Sequence, residues 1–357
     1  MDLLLGPLQQ SMSAPIPNSF GEFELQPFTY DQISSHLKKY LISNNEIQKE
    51  FQTLTHSLTT ESWSLVGKIQ DAIDSCGFRK LAYLPLNLSM IIQVLPDLLK
   101  NSKEEKTGDK NISQFRLYQL FTSQAMITTA KKFLASQEDQ NEEKVDSLCE
   151  KLNKQLQRLA LNLNGCPSSL VAENEEEEAC REETNGFFKL CSLLRVDDTH
   201  ADHQISFTHK SYQSFFVATK IIEEIRNQPN KLEKMVLNQK IFNVDAFSIS
   251  ILHFLVDAVN DHIISTSAMI ELIQKSRKHG NLLNSQNFPA DKSEEKGTEP
   301  RCLEQEISNS QEGASHQHGQ HTFSIAAANA IMILNTAGYD FSHQNLSEVC
   351  IAGANLS

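Results

Sequence analysis

Large apolar side chains recur five residues apart in the last nineteen residues, at Phe341, Leu346, Ile351 and Leu356. An amphipathic helix repeats every ~3.6 residues and a half-buried strand every second one, so neither accommodates this spacing. A square solenoid does, because each face of a coil takes five residues and one of them points inward. The text divides as Tyr339–His343, Gln344–Glu348, Val349–Gly353 and Ala354–Ser357, about one coil. One coil cannot bury its own core, and about three repeats or more are normally needed. The chain is therefore expected to be a piece of a larger architecture, ending as a repeat array begins.

With 357 residues there is length for two or three domains and a real core. A formal net charge of −13, with no basic groove in any segment, argues against a nucleic-acid partner. The seven cysteines are odd in number, widely spread and without a CxxC, which suits reduced thiols in the cytoplasm better than disulfides or zinc. No apolar run approaches the roughly 20 residues of a membrane span, and Met1–Leu5 lacks the basic region of a signal peptide. Cytoplasmic location and no membrane partner are the expectations.

Residues 1–24 hold Pro7, Pro15 and Pro17 and read as an irregular lead-in. A helical domain follows over 25–136. Thr29 with Gln32 three residues later forms a capping box, Phe28 is placed to staple onto Ile33, and Ile33, Leu37, Tyr40 and Leu41 make one helical face. A second helix is expected around Trp63, Val66, Ile69 and Ile73, stopped by Cys76-Gly77 with the glycine left-handed. A third spans about Leu86–Leu95, where Pro96 ends or kinks it, and a fourth about Ile112–Leu134. Residues 137–186 read as an acidic, solvated insertion with a short helix of Val145, Leu148, Leu152, Leu156 and Leu159 between runs 138–144 and 173–183.

Over 187–279 the pattern changes. Leu193–Val196 and Gln204–Phe207 are strand-like runs joined by the polar turn Asp197–His203, a hairpin. A helix then places Tyr212, Phe215, Phe216, Thr219, Ile222 and Ile225 inward, and two more cover Phe247–Val259 and Ser267–His279. Helices, hairpin wing and helix together outline a winged-helix module, with Phe207, Tyr212 and Phe216 in its core. Residues 280–320 have the composition of a disordered linker, and His316, His318 and His321 within it lack the companions that a metal site needs. A capping helix fills 321–338, bounded by Thr322 and Gly338, before the five-residue repeats of 339–357.

The stretch Phe207-Thr208-His209-Lys210-Ser211-Tyr212-Gln213-Ser214-Phe215-Phe216 resembles the winged-helix signature of NACHT-type signal-transduction NTPases. Leu25-Gln26-Pro27-Phe28-Thr29, with Gln32 and Tyr40, is similar to the helical segment after that family's sensor strand. Leu84-Pro85-Leu86-Asn87-Leu88 is similar to its Pro-Leu helix. Ala354-Asn355-Leu356-Ser357 looks like the pentapeptide-repeat consensus, and the stretch from Ala326 into the repeats is similar to fungal proteins with NACHT, pentapeptide and WD40 repeats.

The resemblance implies a mainly α-helical fold: a helical domain, a winged helix and the first coil of a right-handed β-solenoid. It also implies a nucleotide-contact role for two residues, Pro85 against adenine and His209 against the β-phosphate of ADP. No G-x-x-x-x-G-K-[ST] occurs, and Gly67-Lys68 sits within a helical pattern, so nothing here cradles phosphates. No catalytic residue, metal site or cofactor is expected, and ATP or ADP would bind only with an upstream P-loop half. The expected role is a non-catalytic regulatory and interaction segment of a NACHT-like switch, coupling a nucleotide module to a repeat sensor. Its partners would be proteins or its own missing nucleotide and repeat domains. The alternative is a free-standing protein-interaction scaffold with degenerate NACHT remnants.

Overall fold

A computed structural model of the chain describes residues 27–55, 64–101, 112–137, 143–165, 188–197, 204–227, 246–284, 325–347 and 349. The lead-in, most of the 280–320 linker with its three histidines, the acidic run 173–183, Trp63 and Thr322 lie outside them, as do Ile351 and Leu356. The described chain is mainly helical.

Helix α1 (Tyr30–Ser43) starts at the expected capping box. Thr29 Oγ1 accepts the Gln32 N–H at 3.3 Å, and Gln32 Oε1 accepts the Thr29 N–H at 2.7 Å. Phe28 lies with its ring 5.8 Å from His36, and its N–H donates to the Tyr83 carbonyl at 2.7 Å. One residue later α2 (Asn45–Thr55) begins, a helix the apolar pattern did not single out. Phe51 anchors it, fully buried.

Helix α3 (Leu65–Ser75) is capped by Ser64. Gly77 takes φ +80°, and the paired bonds Gly77 N–H to Asp74 O and Phe78 N–H to Ile73 O close the C-terminus as a Schellman motif. Helix α4 (Pro85–Asn101) runs on past Pro96, so the proline expected to end or kink the helix does not end it. A proline costs a helix its own N–H bond to the residue four before it, but burial of Ile91, Ile92, Val94 and Leu95 carries the helix on, with Pro96 itself buried. Lys100 pairs with Glu50 at 2.5 Å, joining α4 to α2.

Helix α5 spans Gln114–Ser136. Helix α6 (Glu143–Leu163) has 21 residues, longer than the short helix expected in an insertion, and it is a core element. Val145, Leu152, Leu156, Ala160 and Leu161 are buried, and Gln157 Nε2 donates to Glu223 at 2.8 Å.

Strands β1 (Leu194–Asp197) and β2 (Gln204–Phe207) form the expected antiparallel hairpin, with Leu194 opposite Phe207 and Asp197 opposite Gln204. It feeds α7 (Lys210–Asn227), then α8 (Ala246–Asn260) and α9 (Thr266–Asn284). A last helix, α10, covers 325–336. It ends like α3: Gly338 has φ +78°, Gly338 N–H bonds Asn335 O and Tyr339 N–H bonds Leu334 O.

One apolar core runs from Ile33 in α1 to Leu334 in α10, with α7 at its centre. Tyr118 of α5, Phe215 of α7 and Phe254 of α8 meet there, with ring centroids 4.8 to 5.8 Å apart. On α7 the burial exceeds one face: Ser214, Val217, Ala218 and Ile221 join the expected inward residues, while Thr219 is half-buried. No described helix is long and apolar enough to cross a membrane.

Candidate functional site

Pro85 and His209 both stand at helix starts. Pro85 is the first residue of α4, exposed, where its locked φ suits the helix and its missing N–H is no loss. Beside it the Phe28–Tyr83 backbone bond gathers Phe28, Tyr30, Tyr83 and Leu84 at one corner, with Tyr30 and Leu84 strongly exposed. Among the described residues, Asn87 Nδ2, two residues further on and buried, has no hydrogen-bond partner, and neither has His36 Nε2, buried on the α1 side.

His209 occupies the N-cap of α7. Thr208 anchors the approach, donating both its N–H and its hydroxyl to the Leu193 carbonyl at 2.9 and 3.1 Å. His209 Nδ1 accepts the Ser211 N–H at 3.1 Å. The ring is exposed on one side and packs edge-on against Tyr212 on the other, centroids 6.2 Å apart. Desolvation on that side holds its pKa below the ordinary histidine value. Tyr212 in turn stacks on Phe121, and Phe216 meets Phe207 at 5.8 Å. Phe216 is fully buried, Tyr212 nearly so and Phe207 half-buried. Among the described residues no hydrogen bond, ion pair or aromatic contact joins Pro85 to His209.

Next to the α7 start lies a polar seam with no obvious sign in the sequence. Burial pushes the Tyr118 hydroxyl up, and the polar side chains of Ser211 and Gln114 beside it oppose this. At the first turn of α5, Asp257 Oδ2 accepts the Phe115 N–H at 3.0 Å, and Ser113 donates its hydroxyl to Asp261. Burial pushes the Asp257 carboxyl up, neighbouring Asp261 adds to this, and the Phe115 N–H opposes it. Asp257 of α8 thus caps α5, and Asp261, just past α8, holds the capping Ser113, through contacts too distant in sequence for local spacing to reveal.

Cys76, Cys149 and Cys191 are free thiols, and burial pushes all three up. A buried thiol with a raised pKa is a poor nucleophile. The described residues contain no group of three or more His, Cys, Asp or Glu able to hold a metal.

In the tail the five-residue spacing has a structural counterpart. Gln344 N–H bonds Phe341 O at 2.9 Å, and five residues on Val349 N–H bonds Leu346 O at 3.3 Å. Ser342 N–H bonds Asp340 Oδ1 at 2.8 Å, and Ser347 N–H bonds Asn345 Oδ1 at 3.1 Å. Burial follows: 339, 341, 344, 346 and 349 are half-buried, while 340, 342, 343, 345 and 347 are exposed. No protein-family model, curated protein or solved structure matches this chain.

Proposed function

We propose that the chain is a non-catalytic regulatory and interaction segment of a NACHT-like signalling switch, in which a winged helix and its helical neighbours connect a nucleotide module to a repeat sensor. The observation that carries this reading is the hairpin-to-helix junction. An antiparallel pair ends at Phe207, turns through His209 and enters a helix whose Tyr212, Phe215 and Phe216 lie at the centre of the core. The tail supports the sensor half of the proposal. Two backbone turns and two side-chain caps each repeat after five residues, as successive faces of a solenoid coil do. Helix α10, with Ala326, Ala327, Ala328 and Ala330 buried, lies directly before that coil and suits the role of its cap.

Two helix-start residues cannot replace a phosphate cradle, so nucleotide binding requires the P-loop module. Calorimetry on this chain with ATP or ADP should show no binding at micromolar concentration. Micromolar affinity that disappears in His209→Ala would overturn the non-catalytic reading. Transcript sequencing across the flanking coding region separates the switch from a free-standing scaffold. An in-frame P-loop upstream and more five-residue repeats downstream support the switch, and stop codons on both sides support the scaffold.

A further inference from the structure

Helix α7 carries the aromatic centre of the molecule, and its first turn is closed by an acceptor that can be switched off. N-caps are usually Ser, Thr, Asp or Asn, whose oxygens accept throughout the neutral and mildly acid range. Here the acceptor is an imidazole nitrogen, His209 Nδ1, 3.1 Å from the Ser211 amide nitrogen. A ring nitrogen accepts only while it carries no proton. The bond therefore assigns the tautomer by its geometry: Nδ1 is bare and the proton sits on Nε2.

We propose that His209 is a pH-sensed cap, whose protonation removes the acceptor from Ser211 and loosens the first turn of α7. Two further effects act in the same direction. An imidazolium at a helix N-terminus faces the positive end of the helix dipole. The ring is also partly desolvated against Tyr212, which disfavours the charged form. The ionisable neighbours are Lys210 and Tyr212 on α7 itself and Tyr118 from α5, which reaches Ser211. Residues 205–207 of β2 contribute none, and the carboxylates of Asp257 in α8 and Asp261 just past it are engaged at the start of α5. No described carboxylate hydrogen-bonds the ring to offset its charge.

The sign follows from linkage. A histidine whose folded pKa is depressed contributes stability that is present above its unfolded value of about 6.5 and lost as pH falls below it. Because Ser211 also lies beside the Tyr118 hydroxyl and opposes its upward shift, loosening should reach the seam between α7 and α5. This proposal does not rest on a nucleotide-contact role for His209.

NMR titration of the full chain from about pH 8 to pH 5 tests it. The His209 ring and the Ser211 amide should titrate together, with a midpoint below that of an exposed histidine. Ser211 exchange, corrected for its intrinsic pH dependence, should rise by up to about tenfold per pH unit between about pH 6.5 and that midpoint, and level off below it. His209→Asn keeps an accepting side chain without a titrating group, so the pH dependence at Ser211 should vanish while the helix persists. His209→Ala should weaken protection of that turn equally at every pH. A Ser211 amide that ignores the His209 titration, or unchanged pH dependence in His209→Asn, overturns the proposal.

Discussion

Helix α7 and the tail after α10 both contribute aromatic side chains to one apolar core, yet α7 lies enclosed within it and the tail packs half-open against its edge. Phe216, Val217, Ala218 and Ile221 are fully enclosed by helices and a strand drawn from distant parts of the chain. In the tail, Tyr339, Phe341, Leu346 and Val349 are only half-buried, and the hydrogen bonds span two to five residues. Removing a side chain from the first region should disturb the whole fold. Removing one from the second should disturb chiefly the tail, because its side chains are only half-buried against the core.

The largest effect is expected at Phe216. Phe216→Ala should cost about 3–5 kcal/mol in a cooperative melt, because the side chain has no exposed surface. A loss below about 1 kcal/mol would dissolve the contrast between the regions. Phe341→Ala should cost about 1–2 kcal/mol, scaled down for half-burial. Faster amide exchange should then be confined to residues beyond 338, with α7 unchanged. Exchange rising equally across α5 to α8 would dissolve the contrast between an enclosed helix and a half-open tail. The smallest effects are in the pH response, and they fall in different windows. Burial lowers both His209 and His36, with Lys39 assisting at His36, so the helical body should lose stability as pH falls below about 6.5. Asp340 is held below the usual carboxylate range by the Ser342 N–H and hydroxyl. Its contribution is present above about pH 4 and lost in stronger acid, so exchange at Ser342 should quicken only there.

The same contrast governs what could be read in advance. Local chemistry was legible: the Thr29–Gln32 box, the glycine stops at Gly77 and Gly338, and the hairpin leading into α7. Each depends on residues a few positions apart. Helix α2 escaped notice because one residue, Asn44, separates it from α1, and its polar text hides one anchor, Phe51. Pro96 reads locally as an end or a kink, because the tertiary burial that carries α4 past it is invisible at that range. The acidic surroundings of α6 suggested a solvated insertion, whereas its apolar stripe packs into the common core. At the candidate site, the positions of Pro85 and His209 at helix starts were readable. The cap from His209 Nδ1 and the seam from Gln114 to Ser211 through Tyr118 were not, since both require three-dimensional neighbours.

The carboxylates of Asp257 and Asp261 at the start of α5 also impose an order of events in time. Phe115 and Asp257 are 142 residues apart, and Ser113 and Asp261 are 148 apart. At synthesis rates of about 5–20 residues per second, Asp257 leaves the ribosome roughly 7–30 s after Phe115. Until then the first turn of α5 has only Ser113 and water for its amides, and its aromatic side chains lack Phe254 as a neighbour. The α5 terminus is therefore completed late, by loop closure across most of the intervening chain, and a nascent chain halted before Ala246 carries it frayed.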